Sequence, residues 1–483
     1  MNTSIGYEEQ LDAHVKKERA AVKLASKTGQ LLYDKGVELV LFRHHLVNMT
    51  VTEILNSHKY ADTVVKKPVD VFATSSMAEA LLSLDLAPSK LDVGRLVYEY
   101  EEVKGKFEDE TAFLKDTLNN FIGQDKFTMK PRDVVLYGFG RIGRLVAREL
   151  IKQAGKGQQL RLRAIVTRDT SKEILKKRAA LFVNDSVHGA FDGIVDLDTE
   201  NKMMTINGLR VQMIEAKLPE DVDYTKHEID EALIIDNTGV FNDRESLSRH
   251  LQALGASKVI LTAPGKGIPN IVYGINQKEF DIDKQEIFSA ASCTTNAISP
   301  VLKVINDKFG LEKGHIETIH AYTNDQNLLD NMHKKPRRGR SAAINMVITS
   351  TGAGKAVTKV IPSLEDKLTA NAVRVPTPNG SLAILSLQLE KETSVEEINE
   401  AVRKAALNGD LINQIHYSID EEMVSNDIIG NTCCSVFDSP ATIVSKDKKN
   451  VVLYTWYDNE FGYTKQVIRL AKYVANVRRL IYY

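Results

Sequence analysis

Cys293 stands in Ser-Ala-Ala-Ser-Cys-Thr-Thr-Asn, residues 289–296, with small residues before it, hydroxyls and an amide after it, and then an apolar run. A thiol attacks a carbonyl carbon only as its thiolate, and a helix N-terminus or a nearby imidazole lowers its pKa. The stretch from Thr294 to Phe309 reads as a helix that Cys293 begins, with Pro300 close to its start. A base is then required, and the strand-like Ile-Glu-Thr-Ile-His ends on His320. Taken singly, Cys293 reads as a structural thiol and His320 as a satisfied strand-end histidine. Taken together, they describe an activated nucleophile and its base.

A second constellation is Gly138-Phe139-Gly140-Arg141-Ile142-Gly143, between the β-rich Asp-Val-Val-Leu-Tyr and a helical run. In that setting the first glycine makes the tight turn and the second admits a pyrophosphate to the backbone. The third lets helix and strand pack closely, and the helix N-terminus supplies positive potential. A carboxylate at the end of the next strand should bind the adenine ribose. Asp169 is in place for it, preceded by Arg168 and equally readable as a solvated helix cap. Cys433 and Cys434 are adjacent, with no further Cys or His at metal-ligand spacing, so they read as packing and no metal site is expected. His44 and His45 also lack an evident chemical role.

These residues need a frame. From Pro131 onward, buried-strand candidates alternate with helices, which predicts a doubly wound parallel sheet. From about residue 310 to 460 the strands lengthen and alternate in polarity, as in a mixed sheet covered on one face. Residues 1–130 show helical periodicity and no βαβ pattern, so an all-α extension is expected there. Ser76 and Glu79 have capping-box spacing, and residues 123–133 read as a linker.

The totals narrow the classes. The 483 residues are 43% hydrophobic and 26% charged with a net charge of −1, an ordinary globular composition that gives no electrostatic case for a nucleic-acid or membrane partner. Three cysteines cannot form a disulfide framework and suggest a reducing compartment. With no secretory signal pattern and no long apolar run, the expected location is cytoplasmic.

The stretches SAASCTTNAISPVLKVINDKFG, IETIHAYTNDQ, STGAGKAVTKVIPSLEDKLTANAVRVPTPN and TWYDNEFGYT closely resemble the phosphorylating glyceraldehyde-3-phosphate dehydrogenases. GFGRIGR and NTGVF fit the same family in order and spacing, and the resemblance covers about residues 131–483. It implies an NAD(P)-binding Rossmann domain over 131–292, completed by a C-terminal helix over 460–483, and an α+β catalytic domain over 293–459. Residues 1–130 have no counterpart in the common form of that family.

The resemblance also implies roles. Cys293 is the expected nucleophile and His320 its base. Arg141 and Ile142 lie along the pyrophosphate, Thr238 and Thr262 border the nicotinamide half, and Asn459 orients the carboxamide. Thr323, Asp325 and Arg374 match substrate-phosphate positions. Ser292, Thr294, Thr351 and Gly352 match those for incoming phosphate. Arg338 best matches a further phosphate arginine, with Arg337 and Arg340 close in register. The implied partners are a sugar phosphate, inorganic phosphate and three further copies in a homotetramer. The cofactor is NAD, with NADP also expected to be accepted, because Arg168 and the pair Asn331-Met332 depart from the strict NAD pattern. Erythrose-4-phosphate dehydrogenase and a regulatory protein on the enzyme scaffold are the alternatives.

Overall fold

The structure, a computed structural model, describes residues 6–123, 130–152 and 155–483. Residues 124–129 of the expected linker lie outside the described residues. Two compact units are present. The first comprises the described residues up to Pro131 together with 155–159 and Val477–Tyr483; the second runs from Arg132 to residue 152 and from Leu160 to Asn476.

In the second unit, short runs of β-branched and leucine residues form the strands Arg132–Tyr137, Leu160–Thr167, Ala232–Asp236, Ala256–Leu261 and Ile287–Ser289. With Leu209–Glu215 they make six parallel strands, and Met203–Ile206 and Val195–Asp198 extend that sheet antiparallel at one edge. Every residue of Ala232–Asp236 is buried, as a strand covered on both faces requires. Arg132–Tyr137 lies between Ala232–Asp236 and Leu160–Thr167, so the strand order reverses beside it. The glycine loop therefore leaves the sheet at its topological switch point, where doubly wound folds bind ligands. The helix Phe461–Val474 packs on Arg141–Ile151 and completes this layer.

From residue 311 onward the second unit holds a second sheet of seven consecutive strands, in the order Val347–Thr349, Leu368–Val375, Leu311–Ala321, Ser381–Leu389, Asn450–Tyr457, Ser435–Asp438 and Ile415–Ser418. An eighth, Ile443–Val444, pairs beside Asn450–Tyr457. Burial alternates along Ser381–Leu389 and Asn450–Tyr457, and the helix Cys293–Phe309 packs against their sheet. Both fold-class expectations for residues beyond 131 hold.

The extension is mostly helical but not all-α. Helices Tyr7–Lys35, Val51–Tyr60, Val71–Ser83, Val93–Val103 and Glu110–Thr117 accompany a four-stranded sheet. Its order is His44–His45, Glu38–Leu41, Ser89–Asp92, Leu480–Tyr482. Glu38–Leu41 turns through Phe42 and Arg43, both at positive φ, into His44–His45, and pairs in parallel with Ser89–Asp92. Within the stretch whose periodicity suggested helix, Glu38–Leu41 is a strand with Leu39, Val40 and Leu41 buried. Segments of two to four residues are too short to show a period. Residues 460–483 are likewise not one helix: after Val474 the chain enters the first unit, and Leu480–Tyr482 pairs with Ser89–Leu91. Ser76 is in the middle of Val71–Ser83, capped by Asp70, and its hydroxyl donates to Glu110; the capping box is Thr50 with Glu53.

Candidate active site

Ser292 caps the helix Cys293–Phe309, its Oγ accepting the Thr295 N–H at 3.0 Å. Cys293 is thus the first helical residue and half-buried. Ala291, two residues before it, has φ 55°, a left-handed conformation supported by its N–H donating to Ser289 Oγ at 3.0 Å. His320 lies near the end of Leu311–Ala321, and its Nε2 is 3.7 Å from Cys293 Sγ. Sequence separates the two by 27 positions; helix and strand bring them together.

Burial pushes the Cys293 thiol up, against the opposing pull of Thr294, the Arg374 charge and backbone N–H groups. The lowering expected from the helix N-terminus is present but outweighed. Burial first, and the Arg374 charge second, hold His320 down at about 4. The resting pair is therefore neutral thiol and neutral imidazole at pH 7. His320 Nδ1 is 2.7 Å from the Ala321 carbonyl and 3.0 Å from Arg374 Nη1, which itself donates to that carbonyl at 2.7 Å. The carbonyl has lone pairs for both donors. A proton on Nδ1 then leaves Nε2 free to accept the proton of Cys293.

Arg374 is directly across from His320 in the parallel pairing of their strands. Arg338 is buried, donating to Asp325, to Thr349 Oγ1 at 3.0 Å and to the Ser350 carbonyl at 3.4 Å. Arg340 instead pairs with Asp330 on an exposed loop, and Arg337 has a positive φ. After burial, the Arg338 charge is the main influence lowering Arg374. Thr323 Oγ1 accepts the Asp325 N–H at 3.4 Å. Thr351 Oγ1 accepts the Ala353 N–H at 3.2 Å, where Gly352 caps the helix Ala353–Val360. Thr294 Oγ1 is 3.1 Å from Tyr457 OH. Asp325 is better placed as the residue holding Arg338 than as a phosphate contact, since a carboxylate repels phosphate.

The glycine loop meets each geometric demand. Gly138 has φ 94°, and a Cβ there would approach Thr238 Cγ2 to 3.0 Å. At Gly140 a Cβ would meet nothing within 4 Å, which leaves room for a ligand over the N-terminus of Arg141–Ile151. At Gly143 a Cβ would lie 2.5 Å from the Gly138 carbonyl oxygen. Arg141 and Ile142 open this helix, so their backbone N–H groups face the loop; the Arg141 guanidinium is engaged by Glu460 and, at 3.2 Å, by Asp185. Thr238 donates its N–H and hydroxyl to Asp236 Oδ1 at 2.8 and 2.7 Å, and Thr262 bonds the Asp236 carbonyl. Asp169 follows Leu160–Thr167 and accepts the Ser171 N–H at 2.8 Å, a local turn on an exposed surface.

Asn459 Oδ1 accepts from Ser381 Oγ at 2.8 Å, so its NH2 is the group presented. Its support was not visible in the sequence. Asp458 accepts from the N–H groups of Gly430, Glu460 and Phe461, from Asn379 Nδ2 at 2.8 Å and from His188 Nε2 at 3.2 Å. Burial opposes charge on His188, but Asp458, Glu460 and Asp185 raise its pKa. This network ties Arg141 of the glycine loop to the segment holding Asn459, through partners 270 and 319 positions apart in the chain. The buried pair Asp236 and His250, 2.9 Å apart, similarly backs Thr238. Among the described residues no cluster of potential metal ligands occurs.

A glycine loop of dinucleotide-binding geometry and a cysteine–histidine pair within one unit suit an oxidoreductase that acts on aldehydes. Residues 132–244 match the family model described as glyceraldehyde 3-phosphate dehydrogenase, NAD binding domain, and residues 292–459 match its C-terminal domain. The chain is 47% identical over 453 residues to a glyceraldehyde-3-phosphate dehydrogenase-like protein of Pseudomonas aeruginosa, covering 93% of this chain and 97% of that protein. It is 42% identical over 343 residues to glyceraldehyde-3-phosphate dehydrogenase 2 of Trichormus variabilis, and 40% over 344 to glyceraldehyde-3-phosphate dehydrogenase 1 of Bacillus subtilis. Each covers 71% of this chain and 98% of the relative. The chain belongs to the glyceraldehyde-3-phosphate dehydrogenase family, and NAD is its cofactor. The Pseudomonas relative is matched over nearly its whole length, so it shares most of the extension; the other two match a stretch of about the catalytic unit's length.

Proposed function

We propose that this protein oxidises D-glyceraldehyde 3-phosphate with inorganic phosphate to 1,3-bisphosphoglycerate, reversibly, through a thioester on Cys293. The observation that carries this reading is the 3.7 Å approach of His320 Nε2 to Cys293 Sγ beside Arg374 and Arg338. Nε2 takes the thiol proton as sulfur adds to the aldehyde carbon. Nε2–H and the Cys293 backbone N–H then donate to the oxygen of the hemithioacetal. NAD, when bound, accepts the hydride. Orthophosphate attacks the resulting thioester at its carbonyl, and the Cys293 sulfur leaves. Arg374 and Thr323 hold the substrate phosphate. Arg338, fixed by Asp325, closes the incoming-phosphate site with Ser292, Thr294, Thr351 and Gly352, as guanidinium forks and helix-start N–H groups are suited to do.

NADP is accepted as well, because Arg168 is free of the sheet and exposed next to Asp169. A homotetramer is supported by the exposed apolar side chains of the 328–348 loop region, Leu328, Leu329, Met332, Ile344 and Met346 among them. No helix among the described residues is long and apolar enough to cross a membrane, and we place the enzyme in the cytoplasm. The deciding assay is reduced-cofactor production from glyceraldehyde 3-phosphate and from erythrose 4-phosphate, with and without phosphate. A strict phosphate requirement with preference for the triose is expected; turnover independent of phosphate, or favouring the tetrose, refutes the reading.

A further inference from the structure

The helix Tyr7–Lys35 has two apolar faces, and the first unit covers only one. Ala20, Ala21, Leu24, Thr28 and Leu31 are buried. Tyr7, Leu11, Val22 and Tyr33 form a second stripe and are 77%, 45%, 56% and 63% exposed. At 3.6 residues per turn this stripe lies roughly 140° round the helix from the buried one. From Tyr7 to Arg19 every residue is exposed except Val15, which is half-buried. An unsupported helical stretch of this length is marginal in water. A partner covering it would stabilise it.

We propose that this helix pairs antiparallel with the same helix of a second copy of the chain. The charge order identifies the occupant. Glu8, Glu9 and Asp12 come first, then Lys16, Lys17, Arg19 and Lys23. An antiparallel pair sets acidic against basic at both ends, whereas a parallel pair sets like against like. With Leu11 of one copy against Val22 of the other, Val15 faces Glu18, and Asp12 and Glu8 fall beside Arg19 and Lys23. Glu18 is already 3.5 Å from His14, and this pair forms a polar layer at the centre of the seam, a device that fixes register at some cost in stability. Asp12 also reaches Lys16 of its own helix at 2.7 Å, but both side chains are mostly exposed and the pair leaves Asp12 able to turn. The proposal does not rest on the dehydrogenase reading, and the pairing can join subunits within an oligomer or between oligomers.

Cross-linking of the full chain tests it. In a Cys293→Ala background, Leu11→Cys with Val22→Cys is expected to give a disulfide-linked dimer on oxidation, while either cysteine alone gives little. Asp12→Lys should lower that yield about three- to tenfold, the scale of one or two lost ion pairs. Adding Arg19→Asp should restore it, since the two positions meet only across copies. All these side chains are exposed, and dehydrogenase activity of the charge variants with Cys293 intact reports that folding is unchanged. Absence of the dimer overturns the proposal. So does equal cross-linking by the single cysteines, or a loss that the second charge change fails to restore. Cosedimentation with anionic vesicles, abolished by Leu11→Asp with Val22→Asp and without any dimer, would assign the stripe to a membrane surface instead.

Discussion

Arg374→Leu isolates the electrostatic control of the base. The Arg374 guanidinium touches His320 at 3.0 Å, and with burial it holds the imidazole at about 4. Two unit charges about 4 Å apart interact by about 4 kcal/mol at an effective dielectric near 20. One pKa unit is about 1.36 kcal/mol, so removing the charge can raise His320 by at most about three units. The whole depression runs from 6.5 to about 4 and burial, its larger part, stays, so a rise of about one unit is expected. The sign for stability follows. A histidine whose folded pKa lies below its unfolded 6.5 makes the native state lose stability as pH falls from 6.5 toward 4, and the variant should lose less. The assay is an NMR titration of 13C-labelled histidine in a Cys293→Ser background, with His320→Asn identifying the resonance. If His320 in Arg374→Leu still titrates near 4, burial alone sets its pKa, and Arg374 acts only as a phosphate contact.

Cys293→Ser should abolish oxidative turnover while leaving the thermal midpoint within a few degrees; appreciable activity in purified variant contradicts the nucleophile assignment. Gly143→Ala, whose Cβ would meet a carbonyl at 2.5 Å, should lower the thermal midpoint, whereas Gly140→Ala, with open space around it, should weaken NAD binding with little thermal change; calorimetry and equilibrium titration separate the two. Asp169→Ala should shift the kcat/KM ratio further toward NADP; a wild-type preference for NAD above about 10³-fold, roughly 4 kcal/mol, rules dual use out, and an unchanged ratio in the variant leaves Asp169 as a turn residue only. Deleting residues 1–125 should give poorly soluble protein, because it removes three strands of a sheet and strands Leu480–Tyr482 without a partner; deleting 477–483 as well should restore solubility, which yield and light scattering would report.

Residues that act through local context were legible. The glycine loop needed only a strand before it and a helix after it, whereas Cys293, a structural thiol when read alone, stood out only together with His320. Choosing Arg338 over Arg337 and Arg340 required the fold, because burial and the Asp325 contact, not spacing, separate them. His188, Asp458 and Asn379 were invisible for a different reason: each is ordinary where it stands, and only the packing of distant segments makes them one network. The extension's strands escaped because two to four residues carry no period. The partners that make them strands lie tens to hundreds of positions away.

That last pairing bears on how the chain is made. Ser89 faces Leu480, roughly 390 residues later, a separation that makes this contact among the slowest to form. The extension emerges from the ribosome before the sheets that follow it, yet its own sheet lacks one strand until roughly 390 further residues have been translated. At about 5–20 residues per second that interval is tens of seconds, during which Ser89–Asp92 presents an open edge. The early-born part of this protein thus waits on the late-born part, and translation speed and chaperone supply should influence its yield more than they would for a relative built of the catalytic unit alone.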